Sequence, residues 1–222
     1  MPSSGGVSLA GSSGLARRRS SLEHRIERLG HHGDGMAEGP VFVPRTLPGE
    51  VVEGDAEGGR IATPRIVSPS PDRVKAPCRH YKGCGGCSLQ HASDTFVAEW
   101  KVDLVRSALS ARGLEAPIRH LHTSPAGARR RAVFTGRRTK SGATVGFHAP
   151  GSDVIREVPD CQLLRPALRT SQGLLSEIVV VGGSRKGELR LTVTETESGL
   201  DVLVTGGKPM DMALQEKLSK FA

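Results

Sequence analysis

Cys78-Arg79-His80-Tyr81-Lys82-Gly83-Cys84-Gly85-Gly86-Cys87 holds three of the four cysteines in a chain of 222 residues, and the fourth is Cys161. The resulting pattern, C-x5-C-x2-C-x73-C, uses the whole thiol inventory. Clustered cysteines that stay reduced bind metal rather than pair with one another. Four thiolates hold either tetrahedral zinc or an iron–sulfur cluster. Structural zinc takes two close pairs with two to four residues between partners. Here the first gap is five and Cys161 stands alone, which favours a 4Fe-4S cubane over zinc and leaves zinc as the alternative. Gly85 and Gly86 let the backbone wrap closely and offer N–H groups to sulfur.

The charge supports a partner for this segment. Lys and Arg exceed Asp and Glu by 31 to 23 over the chain, and between Cys78 and Arg169 by fifteen to seven, so the excess sits in the cysteine-bearing segment. A basic excess on one module is the electrostatic footprint of a nucleic-acid binder. It is densest from Arg129 to Lys140, where Arg129, Arg130, Arg131, Arg137, Arg138 and Lys140 stand with no acid among them. Alternation along a strand puts Arg129 and Arg131 on one face and Ala132 and Phe134 on the other. These six cations are the candidate nucleic-acid contacts, through phosphate.

Upstream, residues 21–75 break into short pieces punctuated by Gly33-Asp34-Gly35 and Leu47-Pro48-Gly49, lengths that suit strands of a small OB-like barrel. Downstream, Asp94 caps a helix whose Phe96, Val97, Trp100, Leu104, Val105, Ala108 and Leu109 recur at helical spacing, with Trp100 in the core. A hairpin follows at residues 131–138 and 144–148, then a short strand at 154–158. Pro166 opens a helix carrying Leu168, Leu175, Ile178 and Val179. A second hairpin joins Leu189-Leu191-Val193 to Leu200-Val202-Val204, and Asp211 caps a last helix with Leu214, Leu218 and Phe221 on one side. No run of eighteen apolar residues offers a membrane span, and the first twenty residues have the wrong charge order for a secretory signal.

The ordered series Leu29-Gly30, Gly33-Asp34-Gly35, Val41-Phe42-Val43-Pro44, Leu47-Pro48-Gly49-Glu50, Arg73-Val74, the cysteine motif with Leu89-Gln90-His91, Trp100-Lys101, Arg129-Arg130-Arg131, Val145-Gly146-Phe147 and Val158-Pro159-Asp160-Cys161 resembles the bacterial RNA (uracil-5-)-methyltransferases. Members of that family carry an N-terminal TRAM domain and a 4Fe-4S cluster. The resemblance implies a cluster on Cys78, Cys84, Cys87 and Cys161, a TRAM barrel that binds RNA, and methylation of a uridine at C5, most often in 23S rRNA, with S-adenosylmethionine as methyl donor. Such enzymes continue into a Rossmann-like domain with a nucleophilic cysteine. No cysteine follows Cys161, and Gly182-Gly183 lacks the strand–Gly-x-Gly–helix context of a cofactor loop. No catalytic residue is therefore nominated, and S-adenosylmethionine is expected only through a domain beyond this chain.

The expected fold class is α+β: an N-terminal OB-like TRAM barrel, then a small cluster-bearing α+β domain, with the Rossmann-like catalytic domain absent. The expected divisions are a disordered tail at 1–20, the barrel at 21–75, the cluster domain at 76–205 and a linker helix at 206–222. A cytoplasmic RNA-binding fragment of a methyltransferase is the leading function, with rRNA as partner and no membrane. A stand-alone RNA-binding module with a structural four-cysteine metal site is the alternative.

Overall fold

A computed structural model describes residues 22–221, so the expected tail at 1–20 lies outside the described residues. Strands β1 (Glu23–Leu29), β2 (Gly35–Ala37), β3 (Val41–Val43), β4 (Val51–Glu53) and β5 (Arg65–Ser68) form an antiparallel sheet in the order β3-β2-β1-β4-β5. Ile26, Ala37, Val43, Val52 and Ile61 fill its core. The OB-like barrel expected from the sequence is corrected to this open order. Three of the strands are only three residues long, and β3 and β5 do not pair; among the described residues, the gap is crossed by a parallel bridge from Phe42 to Arg60.

Glu50 anchors this sheet to the connector that follows. Its side chain is fully buried and accepts from Leu47 N–H (2.9 Å) and Ser70 N–H (3.1 Å), while Arg73 approaches with both Nε and Nη2. Arg73 Nη2 also donates to Arg45 O (2.8 Å), and Arg45 Nη1 donates to Lys82 O (3.2 Å), between the first two cysteines. Burial acts to raise the Glu50 pKa, but the Arg73 hydrogen bonds, the two backbone donors and the Arg73 charge outweigh it and hold the carboxyl below its usual value.

The second sheet, ordered β10-β9-β6-β7-β8, contains β6 (Arg131–Arg138), β7 (Ala143–His148), β8 (Ile155–Arg156), β9 (Glu188–Glu195) and β10 (Leu200–Thr205), all antiparallel. Both hairpins read from the sequence are present. The helix expected after Pro166 is two, α2 (Pro166–Thr170) and α3 (Gln172–Gly182), separated at Ser171, whose hydroxyl turns back to Leu168 O (3.0 Å). They cover one sheet face with Leu168, Leu175, Ile178 and Val179 over Phe134, Val145, Leu189, Leu191 and Val193. Gly136 permits the approach of α3: a Cβ there would lie 2.3 Å from Val179 Cγ2. The last helix, α4 (Met212–Leu218), is capped by Asp211, whose carboxylate accepts from Leu214 N–H (2.7 Å).

Helix α1 (Asp94–Ser110) corrects two readings. Its cap is Ser93, whose Oγ accepts from Phe96 N–H (3.2 Å), and it has no buried residue, so Trp100 is only half-buried and not core. The periodicity is real, but no described element packs over that stripe closely enough to bury it.

Candidate metal centre

The cysteine loop is a series of tight turns. Tyr81 N–H bonds Cys78 O (3.1 Å), Cys84 N–H bonds His80 O (2.8 Å), and on the far side Cys161 N–H bonds Val158 O (3.1 Å). Two latches bring these segments together. Asp160 receives Arg79 Nε at 2.7 Å and His80 Nε2 on its other oxygen, joining the residues beside Cys78 to the residue beside Cys161. The His80 hydrogen bond is the leading cause that holds the Asp160 carboxyl below its usual range. Gly85 N–H donates to His148 O (2.8 Å) at the end of β7, an approach so close that a Cβ on Gly85 would sit 2.7 Å from that oxygen.

All four cysteines therefore line one cavity, with an empty volume of about 360 Å³ including its open mouth. Phe147, Val158, Leu163 and Leu164 supply apolar walls, and Cys84 and Cys161 belong to the core of the second sheet. Burial is the main cause that pushes the Cys84 and Cys87 thiols up, and negative charge on Cys161 pushes both in the same direction, so the remote cysteine is an electrostatic neighbour of the local ones. Sulfur also receives donors. Gly86 N–H reaches Cys84 Sγ (3.4 Å), and Gln90 Nε2 reaches Cys87 Sγ (3.1 Å). Of the two glycines expected to donate to sulfur, Gly86 does so and Gly85 bonds the carbonyl of His148 instead.

Among the described residues, no three His, Cys, Asp or Glu side chains converge as a site for a single metal ion. The four thiols share one cavity walled by apolar groups and supplied with N–H donors to sulfur. That donor set fits a thiolate-held metal group.

Beneath the loop, Tyr81 donates to Ser88 O (2.6 Å), and its oxygen lies 2.6 Å from His91 Nδ1. Burial pushes the Tyr81 hydroxyl up to about 12 and His91 down to about 4, so both are neutral at physiological pH. They are packing and hydrogen-bonding groups in the floor of the loop.

The six candidate RNA contacts are not equivalent. Arg129 is exposed and lines the mouth of the cysteine cavity. Arg130 donates to Glu195 O (3.3 Å) and Arg131 to Thr194 Oγ1 (3.0 Å), both staying exposed, while Ala132 and Phe134 are buried as the alternation required. Arg137 pairs with Glu188, which also meets His148 Nε2 (3.1 Å). Arg138 and Lys140 stand near the hairpin turn with no ion pair to any described residue. Glu188 arrives from β9, opposite Arg137 in register, and nothing local in the sequence foretold it.

The chain is similar to RNA methyltransferases. It is 38% identical over 198 residues to a Rhizobium meliloti protein named an uncharacterized RNA methyltransferase, covering 84% of this chain and 47% of that one. For a Brucella suis protein of the same description the identity is 36% over 184 residues, covering 82% and 44%. The 23S rRNA (uracil(1939)-C(5))-methyltransferase of Halomonas elongata is 35% identical over 185 residues, covering 72% and 38%. No protein-family profile matches. The chain thus spans about half the length of the curated relatives it matches or less.

Among solved structures, the Pyrococcus abyssi tRNA (uracil-54, C5)-methyltransferase in complex with S-adenosyl-L-homocysteine superimposes with a TM-score of 0.56 at 20% identity, covering 86% of this chain and 48% of that one. This likeness overturns the expected fold class. The described residues, two antiparallel sheets with four helices, share the fold of nearly half of a methyltransferase, and the expectation that the Rossmann-like catalytic domain is absent is withdrawn. No described helix is long and apolar enough to cross a membrane.

Proposed function

We propose that this chain is the RNA-recognising and cluster-bearing portion of an S-adenosylmethionine-dependent RNA (uracil-C5-)-methyltransferase, with 23S rRNA as the favoured substrate. The observation that carries the reading is that Cys78, Cys84, Cys87 and Cys161 line one apolar cavity, in a chain similar over most of its length to RNA methyltransferases. In this reading the four thiolates hold a 4Fe-4S cluster, which is favoured over zinc because the first gap is five residues and Cys161 stands alone, unlike the two close pairs of structural zinc. A cluster with four protein ligands supplies rigidity and charge to the fold.

The chain's own residues do the rest. Asp160, Arg79 and His80 hold the remote cysteine against the local three, and Arg45, held by Arg73 on Glu50, ties residues 21–75, the proposed RNA-binding unit, through Lys82 O to residues 76–205 that carry the cluster. Arg129, Arg130, Arg131, Arg138 and Lys140 offer exposed or half-exposed charge to phosphate, with Arg137 weakened in that role by Glu188. Methyl transfer is proposed for the whole protein, and a reduced cytoplasm suits the free thiols.

The experiment is methylation of 23S rRNA by the full protein with labelled S-adenosylmethionine, followed by mapping of the labelled base. Label at uridine C5 is expected. Label on another base, or none while rRNA still binds, would overturn the methyltransferase reading.

A further inference from the structure

Gln90 follows the three local cysteines and is half-buried at the edge of their cavity. Its side-chain amide does two things at once. The carbonyl oxygen accepts the backbone N–H of Cys78 at 3.3 Å, and the amide nitrogen donates to Cys87 Sγ at 3.1 Å. We propose that Gln90 is a positioning residue of the thiol site, fixing the first cysteine against the third and stabilising negative charge on the Cys87 sulfur. This rests on the reading of the cavity as a cluster site.

Only a primary amide on a two-methylene stem meets both demands. Glutamate keeps an acceptor for Cys78 N–H but replaces the donor with an anion facing sulfur. Methionine keeps the length and loses both bonds. Cys87 is singled out for this support because it is the least buried of the four thiols, and the other sulfur with a hydrogen bond, that of Cys84, is served by the backbone of Gly86. A donor to sulfur favours the more negative, reduced state of an iron–sulfur group and so raises its reduction potential. Outer partners of this kind also set affinity: their loss costs about 10- to 100-fold in metal binding.

The test uses the full chain, wild type and Gln90→Glu and Gln90→Met, reconstituted anaerobically with iron and sulfide, with a thermal melt to show that each variant folds. The expected result is a lower midpoint potential in both variants. For Gln90→Glu the shift is at least tenfold in the oxidised-to-reduced ratio at the wild-type midpoint, or about 59 mV for a one-electron couple. Both variants also lose iron faster to a chelator. Wild-type midpoints and iron retention in both would overturn the proposal. Should the wild type take up cobalt(II) but no iron and sulfide, the cluster reading falls alone, and Gln90 is then judged by cobalt affinity. A fall of about 10-fold or more in Gln90→Met upholds it, and an unchanged affinity overturns it. A wild type that takes up neither overturns both.

Discussion

Replacing Glu50 by glutamine probes the link between the first sheet and the cysteine loop. In the folded chain the carboxylate meets four donors: Leu47 N–H and Arg73 Nη2 on one oxygen, Ser70 N–H and Arg73 Nε on the other. A glutamine presents one oxygen and one NH2, so two of the four donors face another donor and Arg73 loses its counter-charge in a site that excludes water. Removing one member of a buried pair costs about 3–5 kcal/mol, a large part of the about 5–15 kcal/mol that stabilises a typical domain. With an m-value of about 2–3 kcal/mol/M, that loss lowers the urea midpoint by about 1–2 M. Urea titration followed by circular dichroism reads it. The exposed pair Arg65–Glu53, in which the Arg65 side chain is 69% exposed, serves as the contrast, and Arg65→Ala should cost no more than about 1 kcal/mol. Because the Glu50 carboxyl titrates below its usual range when folded, its contribution is complete above that range and fades as the pH falls through it. Wild type should therefore lose stability on acidification more steeply than Glu50→Gln. A loss under about 1 kcal/mol, or the same acid limb in both proteins, would refute the reasoning.

Gly136→Ala forces a methyl against Val179, 2.3 Å away, and should cost about 1–3 kcal/mol by overpacking, read by the same titration. Ser93→Ala removes the α1 cap and should cost about 1 kcal/mol, with Ser93→Asp restoring it. RNA affinity measured by filter binding should fall about 50-fold between about 50 and about 200 mM salt if four cations meet single-stranded phosphates, and Arg138→Ala with Lys140→Ala together should flatten that slope while Arg137→Ala changes it least.

How far these features were legible depends on the range of the interaction behind each. Both hairpins of the second sheet and the helix after Asp211 follow from local alternation, turn residues and caps, and they appear where expected, while the single helix expected from Pro166 is broken in two at Ser171. The Ser93 cap was missed by one position because Ser93 and Asp94 are both cap formers, and only the hydrogen bond to Phe96 N–H separates them. The barrel expected from strand lengths and turns does not form, since closure needs β3 and β5 to pair and they do not; strands this short do not announce their partners. Trp100 shows the limit of periodicity: a stripe predicts a face, not what covers it. The basic strand was visible but its partial neutralisation was not, because Glu188 reaches Arg137 only through the β6–β9 register. Spacing suggested that Cys161 joins the other three. What brings it there, Asp160 between Arg79 and His80, joins side chains of two motifs read separately, and nothing in the sequence paired them.

The proposal stands or falls on whether three cysteines of one loop and a fourth separated from them by 73 residues hold one iron–sulfur cluster. Iron and acid-labile sulfide analysis of anaerobically purified chain, paired with the visible absorption spectrum, tests it most directly. The account predicts four irons and four sulfides per chain with a broad sulfur-to-iron charge-transfer band, all lost in Cys161→Ser. Colourless protein with one zinc per chain, and no iron taken up after anaerobic reconstitution, would contradict it.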